Sequence, residues 1–76
     1  MSNFITLKDG RWLLDVSEIA SVFMTKDQYH IHVALKRGEE IDRYYDNRLE
    51  CSNDYKMIVE AVQKLQESDG LTPLNG

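Results

Sequence analysis

One cysteine and one proline in 76 residues remove several ways of holding a small chain together. Cys51 has no second cysteine to pair with, so no intrachain disulfide is available. No CxxC or paired Cys/His spacing points to a structural zinc. The longest apolar runs are only a few residues, too short for a membrane span. The start, Met1-Ser2-Asn3-Phe4-Ile5-Thr6, has no basic segment followed by an apolar stretch, as a secretory signal would. With one free cysteine as well, the expected location is the cytoplasm.

Positive charge is also scarce. Nine Lys and Arg face thirteen Asp and Glu, for a formal net charge of −4. The basic residues are scattered, and carboxylates sit close to most of them. A phosphate-gripping surface gathers its cations into a patch, so nucleic acid is not the expected partner. There is no P-loop, GxGxxG, GxSxG or HExxH. No nucleophile can be paired with a base, so the chain reads as a non-enzyme without a cofactor.

What is present is ordinary for a soluble domain: 42% hydrophobic and 29% charged residues. A chain this short buries only about 60% of the surface its unfolded form exposes. One core is possible, two are not. With disulfide and zinc absent, self-association is the remaining common source of stability.

The clearest local signal is Gln28-Tyr29-His30-Ile31-His32-Val33-Ala34-Leu35. Tyr29, Ile31, Val33 and Leu35 fall on one side of an extended chain, and Gln28, His30, His32 and Ala34 on the other. Similar runs surround it. Asn3 to Leu7 and Trp12 to Val16 read as strands joined over Asp9-Gly10, a two-residue hairpin signal. Ser17-Glu18 opens a single helical turn. Ile19 to Thr25 is apolar on both faces and reads as a central strand. Lys26-Asp27 turns into Gln28 to Lys36, Arg37-Gly38-Glu39 turns again, and Glu40 to Tyr45 is the last strand.

Asp46 to Cys51 reads as a polar link. Ser52, Asn53 and Asp54 are all good helix N-caps. Tyr55, Ile58, Val59, Val62 and Leu65 recur at spacings of three and four, the stripe of an amphipathic helix. Gly70 and Pro73 supply the stop. The expected fold is therefore α+β: an antiparallel meander of about five strands with one C-terminal amphipathic helix packed on one face. It forms a single domain over 1–70, with a flexible tail at 71–76.

His30 and His32, at i and i+2 on a strand, share a side, a spacing that metal sites use. A metal needs a third ligand and no motif supplies one, so no metal is assigned; the pair reads as solvent-facing or as a subunit contact. Cys51, just before the expected helix, reads as buried or idle rather than as a nucleophile. The carboxylate runs Glu39-Glu40-Asp42 and Glu67-Ser68-Asp69 read as solvated. Tyr44 and Tyr45 point to opposite sides of their strand, so one of them is exposed or in a contact.

The stretch Phe4-Ile5-Thr6-Leu7-Lys8-Asp9-Gly10-Arg11-Trp12-Leu13-Leu14-Asp15-Val16-Ser17-Glu18-Ile19-Ala20-Ser21-Val22 resembles the start of small flagellar FlbD-like proteins. The shared features are a hairpin over an Asp-Gly or Asn-Gly turn, an x-x-I-x-x-V strand and a second Gly turn, here Arg37-Gly38. That resemblance implies a small regulatory interaction protein. Val16 to Leu65 also resembles the first half of LytTR DNA-binding domains, without their basic surface. Neither resemblance carries functional residues over.

One helix cannot cover both faces of such a sheet, and the uncovered apolar positions give a motive for a partner. The leading expectation is a protein-interaction module that forms a homodimer or higher oligomer, with Phe23, Tyr44, Tyr45, His30 and His32 as interface candidates. The alternatives are a small-ligand or nucleotide binder, with Arg37, Arg43 or Arg48 gripping an anion in an inter-subunit pocket, and a nucleic-acid-binding module.

Overall fold

The computed structural model describes residues 3–68. The expected tail at 71–76 and the helix stop at Gly70 and Pro73 lie outside the described residues. The fold is α+β, with five antiparallel strands and one C-terminal helix. The strands divide into two sheets: a β1–β2 hairpin, and a three-stranded sheet in the order β3-β4-β5.

β1 (Phe4–Leu7) pairs with β2 (Trp12–Asp15), Leu7 opposite Trp12. Lys8 and Asp9 hold the left-handed φ values of 52° and 56°, and the Gly10 amide donates to the Leu7 carbonyl at 3.1 Å. The Arg11 amide donates to the Lys8 carbonyl at 3.2 Å, so the expected turn over Asp9-Gly10, with Gly10 at φ 85°, is present and overlaps a first turn over Lys8-Asp9. A non-glycine residue pays for that backbone region, and tertiary contacts hold Lys8 there. Its amide donates to Asp54 Oδ2 at 2.8 Å, its ammonium donates to the Tyr44 carbonyl at 2.6 Å, and the same ammonium lies 4.7 Å from the Tyr45 ring centre.

The single helical turn expected at Ser17-Glu18 is a 3-10 turn, Val16–Glu18. Asp15 caps it, accepting from the Ser17 amide at 3.0 Å and the Ser17 hydroxyl at 2.6 Å.

β3 (Ile19–Met24), β4 (His30–Leu35) and β5 (Glu40–Tyr44) follow. The expectation of β3 as a central strand is corrected: β4 is central and β3 is an edge. The apolar residues on both faces of β3 have a local cause. The register shifts between Ile19 and Ser21, and such a bulge moves the following residues to the opposite face. Ile19, Val22 and Met24 therefore all reach the core, and Phe23 is left outside.

Gln28 and Tyr29 belong to the turn rather than to β4. Gln28 has φ 66°, and Asp27 Oδ1 accepts from the Tyr29 amide at 3.1 Å and the Thr25 hydroxyl at 2.6 Å. Those two bonds hold the Asp27 carboxyl below its ordinary pKa. Tyr29 is consequently exposed, not part of the buried stripe. At the next turn Gly38 takes φ 99° and its amide donates to the Leu35 carbonyl at 2.9 Å, a conformation that favours glycine.

The helix, α1, runs Arg48–Ser68, and so begins earlier than Ser52 to Asp54. Asn47 is its cap, Oδ1 accepting from the Glu50 amide at 3.0 Å. The expected polar link is its first turn. Cys51, Asp54 and Ile58, spaced by three and four, are buried together, so the inward stripe starts at Cys51 and includes a carboxylate.

A single core joins the hairpin (Leu7, Trp12, Leu14), the 3-10 turn (Val16), one face of the larger sheet (Ile31, Val33, Leu35) and the helix (Cys51, Ile58). Tyr55, Val62 and Leu65 pack against it from the helix. Hairpin and helix together cover one face of the β3-β4-β5 sheet. Among the described residues, no helix is long and apolar enough to cross a membrane.

Candidate functional site

The other face of that sheet is built by alternation. Ile31, Val33 and Leu35 point inward from β4, so His30 and His32 point outward. The antiparallel register places Phe23 of β3 and Asp42 of β5 on either side of His32, and Tyr44 of β5 opposite His30. Directly opposed side chains on one face are in contact range, and here the contacts form a continuous network.

The Phe23 ring stacks on His32 at 5.0 Å between centroids and 26° between planes. Tyr44 stacks on His30 at 4.3 Å and 8°. The two imidazoles meet edge to face at 6.5 Å. Asp42 Oδ1 joins them, 2.7 Å from His30 Nε2 and 2.8 Å from His32 Nδ1. His32 Nε2 lies 3.1 Å from Glu40 Oε1. Phe23 is 50% exposed and Tyr44 67%.

The electrostatics follow from the acceptors. An ionised carboxylate only accepts, and His32 faces one at each ring nitrogen. A proton on both nitrogens satisfies both contacts, so the imidazolium is favoured. The His32 pKa is accordingly raised, chiefly by its hydrogen bond to Asp42. The Asp42 carboxyl is held below its ordinary range by the bonds from His32 and His30.

Of the expected interface residues, this face gathers Phe23, Tyr44, His30 and His32. Tyr45 is corrected: it is 6% exposed, turned into the core, and its hydroxyl donates to Asp54 Oδ2 at 2.8 Å. Burial and that carboxylate push its phenol far above the ordinary tyrosine range. Cys51 does not precede the helix but lies in it, fully buried; burial raises its thiol pKa, the opposite of an activated nucleophile.

The three arginines do not converge. Arg37 pairs with Glu39, Nη2 to Oε1 at 2.8 Å. Arg43 lies over the Trp12 ring, 5.1 Å from its centroid. Arg48 donates to Gln28 Oε1 at 3.1 Å. Of these three only Arg37 borders the groove of about 240 Å³ between the hairpin and the sheet, which is lined by Phe4, Leu13, Leu35 and Ile41 and flanked by Asp15 and Glu18.

Asp42 and Asp54 are the carboxylates that the sequence reading undervalued. Asp42 was legible from the turn: a hairpin folded at Arg37-Gly38 puts Glu40 opposite Ala34 and Asp42 opposite His32. Asp54 carried no such signal, since an acidic residue among good caps reads as a cap.

These features define a small α+β domain with one covered and one open sheet face. No protein-family model, curated protein or solved structure matches the chain.

Proposed function

We propose that this chain is a non-enzymatic interaction module that self-associates through the open face of the β3-β4-β5 sheet. The observation carrying this reading is the pairing of two exposed aromatics, Phe23 and Tyr44, with two histidines on a face that hairpin and helix leave uncovered. Tyrosine and other aromatics are favoured where protein surfaces meet, because a large ring loses little conformational entropy. The stacks hold these rings in place before any partner arrives. The same face carries both histidines and carboxylates, so a second copy offers complementary charge. A chain of this size also gains most from added buried area.

The test is solution mass by light scattering after size exclusion. The wild type should run at twice 8.9 kDa or above, and Phe23→Asp and Tyr44→Asp should run as monomers with unchanged helical circular dichroism. A monomeric wild type, or unchanged mass in both variants, removes the reading.

The groove beside Arg37 favours a second reading, binding of a small apolar ligand. Its Arg37 is already matched by Glu39, and Asp15 and Glu18 flank it, which disfavours a nucleotide phosphate. Thermal shifts across panels of nucleotides and of small apolar compounds separate these ligand classes. A flat response to both counts against the groove. The acidic balance and the carboxylates on the open face likewise disfavour nucleic acid.

A further inference from the structure

We propose that His30, His32 and Asp42 form a binding site for a divalent transition-metal ion of the zinc class. This goes beyond self-association and does not depend on it. One nitrogen from each imidazole and one carboxylate oxygen lie within 4.8 Å of one another. All three come from adjacent paired strands, β4 and β5, and not from loops, so the backbone fixes their relative positions. Among the described residues, this is the one group of three His, Cys, Asp or Glu side chains so placed.

The donor set selects the ion. Two imidazoles and a carboxylate suit zinc, nickel or copper, whereas calcium and magnesium call for shells of oxygen. The ion takes the place of the two N–H···O contacts, at 2.7 and 2.8 Å, that now join the rings to Asp42 Oδ1. Metal–ligand bonds of about 2.0–2.1 Å in a tetrahedral site separate the ligand atoms by about 3.3 Å. Asp42 Oδ1 therefore has to part from each ring nitrogen by about half an ångström, and the two nitrogens, which lie within 4.8 Å of each other, have to settle at the same separation of about 3.3 Å.

The surroundings are also those of a metal site. A metal-bound histidine commonly donates its second N–H to a carboxylate, which fixes its tautomer and orientation. Glu40 stands in that position, 3.1 Å from His32 Nε2, and directs the Nδ1 lone pair toward Asp42. Phe23 and Tyr44 stack on the two rings at 5.0 and 4.3 Å and limit their rotation. Three protein ligands leave a fourth position open, as in sites that exchange a water. Since Asp42 is 45% accessible and both histidine side chains about a fifth, that position faces solvent.

The experiment uses the full chain in chelator-free buffer, titrated with zinc chloride alone in a calorimeter. Cobalt(II) absorption and the imidazole nitrogen shifts report on the ligands. One ion per chain is expected. His30→Ala, His32→Ala and Asp42→Asn should each weaken binding at least about tenfold, and Glu40→Gln about tenfold or more, as supporting carboxylates do elsewhere. The His32 ring should carry its proton on Nε2 in the zinc-bound form. Circular dichroism checks that each variant is folded, and any that is not is replaced by the matching Gln or Ser substitution. Failure to saturate below millimolar zinc overturns the proposal. So does unchanged affinity in folded His30→Ala and Asp42→Asn, which would put the ion on scattered surface carboxylates. Light scattering with and without zinc separates this result from the self-association test.

Discussion

The two faces of the β3-β4-β5 sheet are made from alternate residues of the same strands, yet they obey different physics. On β4, Ile31, Val33 and Leu35 are buried against the hairpin and helix, while His30 and His32 remain partly accessible on the opposite side. The covered face excludes water and is held by area removed from solvent. The open face is held by ring stacking and by carboxylates that each engage imidazole. One face makes the domain fold. The other is ordered by contacts whose side chains stay partly accessible to water.

The sharpest way to break that comparison is to cut into neighbouring residues of β4. Ile31 is fully buried, and Ile31→Ala should cost about 2–5 kcal/mol. Domains have about 0.05–0.15 kcal/mol of stability per residue, so this takes a large share of the total. His32→Ala, one residue on, should leave the urea midpoint close to that of the wild type. Equal losses in the two variants would mean that both faces support the fold.

The adjacent tyrosines repeat the contrast at smaller scale. Tyr45→Phe removes the hydroxyl that donates to buried Asp54 and should cost about 1.5–3 kcal/mol, the range for a hydrogen bond to a charged group. Tyr44→Phe keeps the ring on His30 and should change stability by less than about 0.5 kcal/mol.

Alkaline titration extends the test. Both the Tyr45 phenol and the Cys51 thiol have pKa values raised by burial in the folded state. The folded chain therefore holds these protons more tightly than the unfolded one. Their contribution is fully present below the ordinary values, about 8.5 for thiol and 10 for phenol. It is lost as pH rises from there toward the raised folded values. The urea midpoint should fall above about pH 9, and less steeply in Tyr45→Phe. A midpoint independent of pH in that range would mean that neither group is protected as the structure places it.

Most of the fold was legible because its causes are local. Alternation in Ile31, Val33 and Leu35, glycine at 38 and the stripe through Ile58 each needed only neighbouring residues. What was not legible depended on contacts distant in sequence. The Ile19–Ser21 bulge makes an edge strand look two-faced. Asp54 looks like a cap until Lys8 and Tyr45 arrive to bond it. The open face lay between these cases: the histidine spacing was visible at once, but their shared carboxylate required the register of the β4–β5 hairpin.

The helix boundary is a checkable instance of the same lesson, because it decides which side chains reach the covered face. Asn47→Ala removes the acceptor of the Glu50 amide and should cost about 0.5–2 kcal/mol. Ser52→Ala lies inside the helix and should cost less. The reverse order would restore the later start that Ser52, Asn53 and Asp54 suggested.

Asp42→Asn should have the smallest effect on the fold and a large one on the open face. The Asp42 carboxylate joins both imidazoles, but all three groups are accessible to water, where ion pairs are screened and add little to stability. In the metal-free chain the urea midpoint should barely move. The ring protons of His30 and His32 should shift markedly, since the neutral amide oxygen is a weaker acceptor than the charged carboxylate for both ring nitrogens, and the link between the edge-to-face rings is loosened. A large drop in stability with unchanged imidazole resonances would invert the assignment, making the histidine face part of the folding core. A stable chain with displaced rings would instead show that Asp42 helps to order the two imidazoles without supporting the packing beneath them.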